Sequence, residues 1–375
     1  GQRLELLSGK RVGVICNHTS HLPDGTHLVD ALLRQGVNVT ALFGPEHGIR
    51  GTAAAGKKVS DFTDAATGLP VYSLYGKTTK PTPEMLSGVD VLLFDIQDIG
   101  ARYYTYAGTM AFAMEAAAQN GKSFVVRDRP NPISGAGVEG TVLDLAFRSL
   151  IGMFPIPARH GLTMGELAKM IVGEGWIDDT RLELDVVPMT GWSRSMWYDE
   201  TGLPWIAPSP NMKTLATATI YPGTCLIEAT NLSEGRGTTR PFEYIGAPWV
   251  DGAAAAGTLN ALRLPGVKFS AVTFTPLAGS DAGPNPKYRD KRCGGVAIEV
   301  TDRSAFRPVQ AGLSILGAFA RMSPEKFEVR DGLMDRLLGS DIVRKRLAEG
   351  TPAADLLRLN SADFSSYIRA RNAYL

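Results

Sequence analysis

Four apolar runs in the first 130 residues, separated by helical patterns, constrain the fold more than any other feature of the chain. An amphipathic segment over 27–36 follows the first run, and an alanine-rich helical pattern over 103–120 follows the third. Repeated strand–helix units imply right-handed crossovers and parallel strands. The sequence therefore predicts an α/β fold with a doubly wound, mostly parallel sheet, whose first four strands lie at 11–16, 37–43, 89–94 and 123–126.

The length of the chain favours two domains, because 375 residues exceed what one hydrophobic core usually serves. Three prolines between positions 202 and 210 mark the predicted boundary, which gives a first domain over 1–205 and a second over 206–375. Short strands at 271–275 and 295–300, with helices near 308–321 and 332–347, predict that the smaller C-terminal domain is α+β.

Composition excludes several classes of protein. The formal net charge is +1 and the basic residues are scattered, which argues against a nucleic-acid or anionic-membrane partner. No apolar run is long enough to span a bilayer. The three cysteines stand far apart, so neither a zinc site nor a disulfide framework is predicted. The chain begins at Gly1 rather than methionine, which favours an extracytoplasmic location and leaves a cytoplasmic one open, as the oligomeric state also stays open.

Each of the four predicted strands ends in polar side chains capable of chemistry. In an open parallel sheet, ligands bind in the crevice outside the carboxyl ends of the strands. We therefore expect one common cleft, formed by Asn17-His18, Glu46-His47, Asp95 to Asp98, and Arg127 to Arg129.

Glu46 is the strongest candidate for a catalytic group. It lies in Gly-Pro-Glu-His-Gly after a predicted buried strand, where partial burial would bring the pKa of a carboxyl group towards the working range of a general acid or base. Alternatively, Glu46 caps the next helix or pairs with Arg50, but the flanking sequence has little helix propensity. His47 either contacts the ligand or hydrogen-bonds to the backbone and shapes the loop.

The segment 95–106 supplies a second group of candidates. Asp95, Gln97 and Asp98 could hold a metal, a water or a sugar hydroxyl, although a metal would need further ligands such as Glu46, His47 or His18. Arg102 can bind a carboxylate, and Tyr103 and Tyr106 can stack on a sugar ring. The alternative is an ordinary helix start with aromatic core contacts, which is our interpretation of Tyr104.

The polar, glycine-punctuated segment 227–239 reads as a binding loop from the second domain, or alternatively as a mobile surface loop. Arg236 lies between two glycines, a position that packing does not explain, and this favours ligand contact. The Gly-x-Gly-x-x-Gly match at 135–140 follows a proline-rich stretch instead of a strand, so we interpret it as a turn-rich loop. Ser209 lacks the nucleophile-elbow motif, and serine hydrolysis is not expected.

At these residues the chain resembles the DUF1343 proteins, which are associated with exo-β-N-acetylmuramidase activity of the NamZ type. The resemblance extends over essentially the whole chain, and four motifs carry it: Gly-Pro-Glu-His-Gly-Ile-Arg-Gly (44–51), Asp-Ile-Gln-Asp-Ile-Gly-Ala-Arg-Tyr-Tyr-Thr-Tyr (95–106), Asp-Arg-Pro-Asn-Pro (128–132) and Glu-Gly-Arg-Gly-Thr-Thr (234–239).

The resemblance implies a Rossmann-like first domain that binds no dinucleotide, and a smaller C-terminal domain that closes the cleft. It implies release of N-acetylmuramic acid from the non-reducing ends of peptidoglycan fragments, with Glu46 as the catalytic acid and no cofactor or resident metal. The expected partners are muramyl saccharides. The expected substrate contacts are Asn17, His47, Gln97, Asp98, Arg102, Tyr103, Tyr106, Asp128, Arg129, Asn131, Asn231, Glu234 and Arg236.

Glycoside hydrolysis requires a protonated acid at the leaving oxygen and a second group for water or the anomeric carbon. Asp95, Asp98 and Glu228 are the candidates for that second group, unless the N-acetyl group of the substrate replaces it. An arginine, Arg102 or Arg236, is the physically sensible partner of the lactyl carboxylate of muramic acid. Two alternatives stay open: a metal-dependent hydrolase using Glu46, His47, Asp95 and Asp98, and a non-catalytic protein that binds cell-wall sugars.

Overall fold

The structure is a computed structural model that describes residues 3–50, 60–178, 181–279 and 285–375. Its strands are β1 (Val12–Cys16), β2 (Val39–Gly44), β3 (Phe62–Thr63), β4 (Pro70–Ser73), β5 (Val91–Asp95), β6 (Ser123–Arg127), β7 (Glu139–Val142), β8 (Pro157–Arg159), β9 (Leu184–Val187), β10 (Tyr244–Ala247), β11 (Val267–Phe274) and β12 (Cys293–Val300). Its helices are α1 (Leu28–Arg34), α2 (Pro83–Leu86), α3 (Thr105–Gln119), α4 (Met164–Gly173), α5 (Leu215–Thr224), α6 (Gly252–Ala261), α7 (Pro308–Met322), α8 (Asp331–Leu338), α9 (Asp341–Ala348), α10 (Ala353–Arg358) and α11 (Ser361–Arg371).

The main sheet has the order β3-β4-β2-β1-β5-β6-β9, and only the edge pair β3–β4 is antiparallel. The chain builds outwards from β1 in one direction through β2 and β4, and then in the other through β5, β6 and β9. The point where the strand order reverses lies between β1 and β5, as in a Rossmann-like sheet. The predicted fold class is confirmed.

Alternating side chains of the central strands fill two separate cores, one on each face of the sheet. In β5, Leu92 and Phe94 point into the larger core, which contains α3 and α4, whereas Val91 and Leu93 point into the smaller core beside α1. This is the burial on both faces that parallel strands require, and it explains why these strands appear in the sequence as continuous apolar runs.

Most elements begin and end within a few residues of the predicted positions, and the predicted cap of α4 is present. The Thr163 side chain accepts from the Glu166 N–H, and the Glu166 carboxylate accepts from the Thr163 N–H. The predicted helix over 332–347 is wrong in one respect, because it divides into α8 and α9 at Gly339, which has a φ of 70°. A left-handed residue ends an α-helix, and glycine adopts that conformation without steric cost.

The second sheet has the order β10-β12-β11 and packs against α6, which in turn contacts α7. The last helix, α11, returns to the first part of the chain, where the Tyr367 hydroxyl donates to the His160 carbonyl at 2.6 Å. No helix in the described ranges is both long and apolar enough to cross a membrane.

Helices α5 and α7 approach so closely that two glycines meet. A Cβ added at Gly312 would lie 2.3 Å from the Gly223 carbonyl oxygen, and one added at Gly223 would lie 1.8 Å from the Pro308 carbonyl oxygen. Backbone atoms cannot move away as a flexible side chain could, so this contact admits no side chain. It matters for function because α5 carries Tyr221 and continues into the turn that contains Glu228.

We expect Gly312→Ala to lower the free energy of unfolding by about 1–3 kcal/mol, because the methyl group would overpack the α5–α7 contact. The matched control is Gly257→Ala on α6, where an added Cβ meets nothing within 4 Å. Replacing an unobstructed helical glycine should stabilise the protein by roughly 0.5–1 kcal/mol. Denaturant unfolding of both variants measures the difference, and equal effects of the two substitutions would contradict this account.

Candidate functional site

A pocket of about 250 Å³ lies at the carboxyl edge of the main sheet, where the first and second parts of the chain meet. The loop after β2, the residue Tyr75 after β4, the start of α3, the segment 209–212, and the region from α5 to Phe242 all contribute to its wall. The lining residues are Glu46, His47, Tyr75, Tyr103, Tyr104, Thr105, Tyr106, Ile151, Ser209, Pro210, Asn211, Met212, Tyr221, Glu228, Arg236 and Phe242.

The carboxyl group of Glu46 is half-buried in this pocket and is held by hydroxyl groups. Thr105, the first residue of α3, donates from Oγ1 to Glu46 Oε2 at 2.9 Å. Tyr75 hydrogen-bonds to the same carboxyl group, and burial together with the charge of Glu46 raises the pKa of Tyr75 to about 12. A hydroxyl can donate to a carboxylate or accept from a carboxylic acid, so these partners accommodate both protonation states of Glu46.

His47, the residue after Glu46, has a φ of 72° and is 4 % exposed. A left-handed conformation is uncommon for a residue other than glycine and costs about 1–2 kcal/mol. The conformation turns the chain sharply after Pro45 and places His47 in the wall of the pocket together with Glu46. Both residues line the same pocket.

An aromatic cluster forms one side of the pocket. The rings of Tyr104 and Tyr106, of Tyr104 and Tyr221, and of Tyr221 and Phe242 are edge-to-face, with centroids 5.3, 5.8 and 4.8 Å apart. Burial raises the pKa values of Tyr104, Tyr106 and Tyr221 above the ordinary value, so their hydroxyl groups are neutral at physiological pH. The cluster offers a rigid apolar surface with hydroxyl groups at its edge, a combination that suits a sugar ring.

Beside this cluster, Arg236 lies with its guanidinium 5.0 Å from the centre of the Phe242 ring and is held between two carboxylates. Its Nη2 donates to Glu228 Oε1 at 2.8 Å, and its Nε lies 3.4 Å from Glu234 Oε1. Burial alone would lower the pKa of Arg236, but the two carboxylates raise it above the ordinary value. Lys287 lies 3.0 Å from the other oxygen of Glu234, so the four side chains carry no net charge. Glu228 and Arg236 face the pocket, whereas Glu234 and Lys287 support them.

The segment 207–209 is fixed by three side chains, one that follows β1 and two at the start of α3. His18 Nε2 hydrogen-bonds to the Ala207 carbonyl at 2.8 Å, the Tyr106 hydroxyl donates to the Pro208 carbonyl at 2.5 Å, and the Tyr104 hydroxyl lies 2.7 Å from Ser209 Oγ. This segment therefore occupies the place in the Rossmann-like crevice where the strand order reverses.

The prediction of a single cleft is consequently wrong. Asn17, after β1, and Asp95, at the end of β5, are buried, whereas Asp128 and Arg129, after β6, line a different cavity. Of the four predicted strand ends, that of β2 opens into the pocket that contains Glu46. The sequence could not reveal this division, because nothing in a strand end indicates which distant segment will cover it.

Several predicted substrate contacts lie outside the pocket because their polar atoms bind the backbone. Arg102 donates to the carbonyls of Thr141, Ile156 and Leu337, and it is 3 % exposed. Asn17, Gln97, Asn131 and Asn231 likewise bond to nearby or distant main-chain groups. The geometry gives these five residues a structural role and does not support the predicted contact with substrate.

Asp95 is also unsuited to the predicted catalytic role. Its side chain is fully buried, and it binds Arg127 at 2.9 Å and Arg129 through two bonds. Burial would raise the pKa of Asp95, but the two guanidinium groups outweigh burial and hold it below the ordinary value. Of the three candidates for a second catalytic group, Asp95, Asp98 and Glu228, only Glu228 lines the pocket together with Glu46.

Sequence reasoning missed Tyr75, Thr105, Asn211 and Tyr221, and it interpreted Tyr104 as a core residue. Tyr75 follows β4, a strand of four residues that begins with a proline and gives no strong pattern. Thr105 lay within a motif already singled out, and its place at the first turn of α3 was the available signal. Tyr221 lies inside a helix, where only the fold reveals what an aromatic side chain faces.

In the described residues, no three His, Cys, Asp or Glu side chains converge as metal ligands would. The four residues proposed as metal ligands do not lie together. Glu46 and His47 line the pocket. Asp95 binds two arginines, and Asp98 is buried and does not line the pocket. The arrangement therefore does not favour a metal-dependent hydrolase.

Comparison with known proteins gives consistent matches over the chain. The family model described as exo-beta-N-acetylmuramidase NamZ, N-terminal, matches residues 12–216, and its C-terminal counterpart matches residues 219–375. Peptidoglycan beta-N-acetylmuramidase NamZ of Bacillus subtilis (strain 168) is 46% identical over 371 residues, which are 98% of this chain and 87% of that protein.

Two crystal structures of DUF1343 family proteins from Bacteroides fragilis NCTC 9343 have the same fold. One is 37% identical, with a TM-score of 0.91 over 100% of this chain and 96% of that chain. The other is 32% identical, with a TM-score of 0.82 over 100% of this chain and 95% of that chain.

The buried carboxyl group of Asp98 makes the stability of the fold depend on pH. Burial raises its pKa to about 7, and its Oδ2 has no hydrogen-bond partner within the described residues. A carboxyl group whose pKa is higher in the folded state stabilises the fold below its unfolded pKa, and this contribution is lost as the pH rises through the folded pKa.

Between pH 5 and pH 8, we therefore expect the free energy of unfolding of the native protein to fall by roughly 2–3 kcal/mol more than that of Asp98→Asn. Denaturant unfolding at the two pH values measures it, with Asp355→Asn as the exposed control. An unchanged pH dependence in Asp98→Asn would show that the carboxyl group is ionised throughout this range.

Proposed function

Because this chain belongs to the exo-beta-N-acetylmuramidase NamZ family, we propose that it is an exo-acting glycoside hydrolase that releases N-acetylmuramic acid from the non-reducing ends of peptidoglycan fragments. The observation that carries the proposal is the presence of two carboxyl groups, Glu46 and Glu228, in one small aromatic-lined pocket. Two carboxyl groups in different environments are the usual requirement of glycoside hydrolysis.

The size of the pocket supports removal of one sugar at a time. Pockets for drug-sized ligands usually measure about 300–1,000 Å³, whereas this one measures about 250 Å³. Such a volume suits a single amino-sugar better than several units of a glycan chain. The aromatic cluster supplies a surface for the apolar face of the ring, and the hydroxyl groups of Tyr75 and Ser209 supply polar contacts.

The partners of the two carboxyl groups suggest different roles. Thr105 and Tyr75 can donate to Glu46 or accept from it, so Glu46 can gain and lose a proton without losing its hydrogen bonds. Glu228 instead binds Arg236, and a guanidinium can only donate. We assign Glu46 as the general acid/base, and Glu228, which binds Arg236, as the carboxylate that acts on water or on the anomeric carbon.

Arg236 is the arginine available to bind the lactyl carboxylate of muramic acid, since Arg102 is committed to backbone carbonyls. Its Nη2 and Nε face Glu228 and Glu234, and Nη1 makes no hydrogen bond to any described residue. Because Arg236 lines the pocket, that remaining nitrogen can donate to a ligand.

We expect Glu46→Gln to lower the release of N-acetylmuramic acid from a synthetic β-muramide by about 10²- to 10⁴-fold, because the amide cannot transfer the proton. The control Glu84→Gln changes an exposed acid in the first turn of α2 and should leave the rate unaltered. Absence of release by the native protein would end the proposal, and full activity of Glu46→Gln would remove Glu46 from the mechanism.

Glu228→Gln should lower the same rate by at least about tenfold, because the anomeric carbon or the attacking water loses its charged partner. Glu234→Gln is the matched control, since Glu234 binds the same arginine but does not line the pocket. A rate that survives Glu228→Gln would assign the second role to the N-acetyl group of the substrate.

Arg236→Met should lower kcat/KM for a muramide by about tenfold more than for the matching glucosaminide, which lacks the lactyl carboxylate. Arg240→Met, which changes an exposed arginine four residues further on, should leave the ratio of the two substrates unchanged. Equal losses on both substrates would mean that Arg236 acts only through Glu228.

A further inference from the structure

A second, larger cavity lies at the same edge of the sheet, beside α1 and beneath the segment 188–203. Its volume is about 550 Å³, within the range of pockets that bind small organic molecules. It shares no lining residue with the pocket that contains Glu46. The proposed glycosidase activity therefore leaves this cavity unexplained.

The interior of the cavity is apolar and adaptable. Leu93, Val125 and Val187, from three adjacent parallel strands, form its floor. Met189 and Met196 lie in its wall, and methionine side chains adjust to ligands of different shape. In a doubly wound sheet a helix would cover these strands, but here the segment 188–203 does so incompletely.

Two guanidinium groups lie at the polar end of the cavity. Arg127 and Arg129 share the single carboxylate of Asp95. The Arg127 side chain is 29% exposed. Among the described residues, it makes one hydrogen bond, from Nη1 to Asp95. Other donors of this guanidinium are free to bind a ligand.

Two acids also lie in the wall of this cavity, and both already have partners. Asp128 accepts from the Thr163 hydroxyl and the Gly165 N–H at the start of α4. Glu200 lies 2.9 Å from Arg303. Neither acid therefore satisfies the remaining donors of Arg127.

We propose that this cavity is a second binding site, for a small organic anion with an apolar body, whose charged group binds Arg127 and whose body lies on the floor formed by Leu93, Val125 and Val187. The site is distinct from the pocket of Glu46, and its occupancy does not depend on the glycosidase activity. An apolar floor and a partly unsatisfied guanidinium at one end match a carboxylate or sulfonate on a hydrocarbon or aromatic group.

Isothermal titration of the full chain with decanoate, below its micelle concentration, tests the proposal, and decanol serves as the uncharged probe of the same length. We expect decanoate to bind with 1:1 stoichiometry and decanol to bind at least tenfold more weakly. Arg127→Met should reduce the affinity for decanoate at least tenfold without changing that for decanol. Asp95 retains Arg129 in this variant, so its buried charge stays paired.

A second variant locates the site independently of the charge cluster. Ala31 lies on α1 in the wall of the cavity and is half-buried, so Ala31→Trp should fill the space and abolish binding of both probes. Ala254→Trp, which changes an exposed residue of α6, is the control and should bind as the native chain does. Thermal unfolding of each variant verifies its fold.

Each other result overturns the proposal. Equal affinities for decanoate and decanol would contradict the anionic specificity, and undiminished binding by Ala31→Trp would place the site elsewhere. Absence of binding by the native chain would mean that the cavity is closed to small amphiphiles, whether by a segment of this chain or by a second copy. The assays contain no sugar, so their failure is distinguishable from failure of the proposed function.

Discussion

The buried carboxylate of Asp95 is the constraint on which the carboxyl edge of the sheet depends. Removing a carboxylate from water costs several kcal/mol, so the fold must keep a cationic partner of Asp95 in place. The two arginine partners of Asp95 lie at the end of β6, and Arg129 also donates to the His21 carbonyl after β1. The Ser20 hydroxyl donates to the Asp95 carbonyl as well. The ends of three strands are thereby joined into one rigid base, on which the segment 207–209 rests.

The segment that crosses this base divides the edge of the sheet into two compartments. Residues 188–203 form part of the wall of the larger cavity, and residues 209–212 form part of the wall of the pocket with Glu46. Between them, Ala207 and Pro208 are fixed by His18 and Tyr106. One irregular stretch of chain thus separates a cavity with apolar walls from a pocket lined by carboxyl and hydroxyl groups, and it replaces the open crevice expected of such a sheet.

The sequence was sufficient to predict the parallel sheet and Glu46, because long apolar runs and a glycine-flanked acid are local patterns. It was insufficient for Asp95, since an acid at a strand end looks the same whether it faces a ligand or two arginines. Arg129, which decides the matter, lies 34 positions away in the sequence. Tyr75 was missed for a related reason. It follows β4, a short strand that is defined by its pairing with β2 and not by a local sequence pattern. Glu228 was one of three equal candidates, and only the packing of the chain placed it in the pocket that Glu46 lines.

The returning C-terminal helix gives the molecule a property that the pocket alone does not reveal. The polypeptide passes between its two parts at the segment 205–212, and α11 adds contacts between them through Tyr367 and through Arg371, which donates to the Gly135 carbonyl at 2.7 Å. These add to the hydrogen bonds that Arg102 and Thr141 donate to the carbonyls of Leu337 and Leu338. A single connection would allow the two parts to rotate apart about a hinge, whereas contacts at separate places oppose that rotation. Separation of the two parts around the pocket would therefore have to break the contacts of α11 as well.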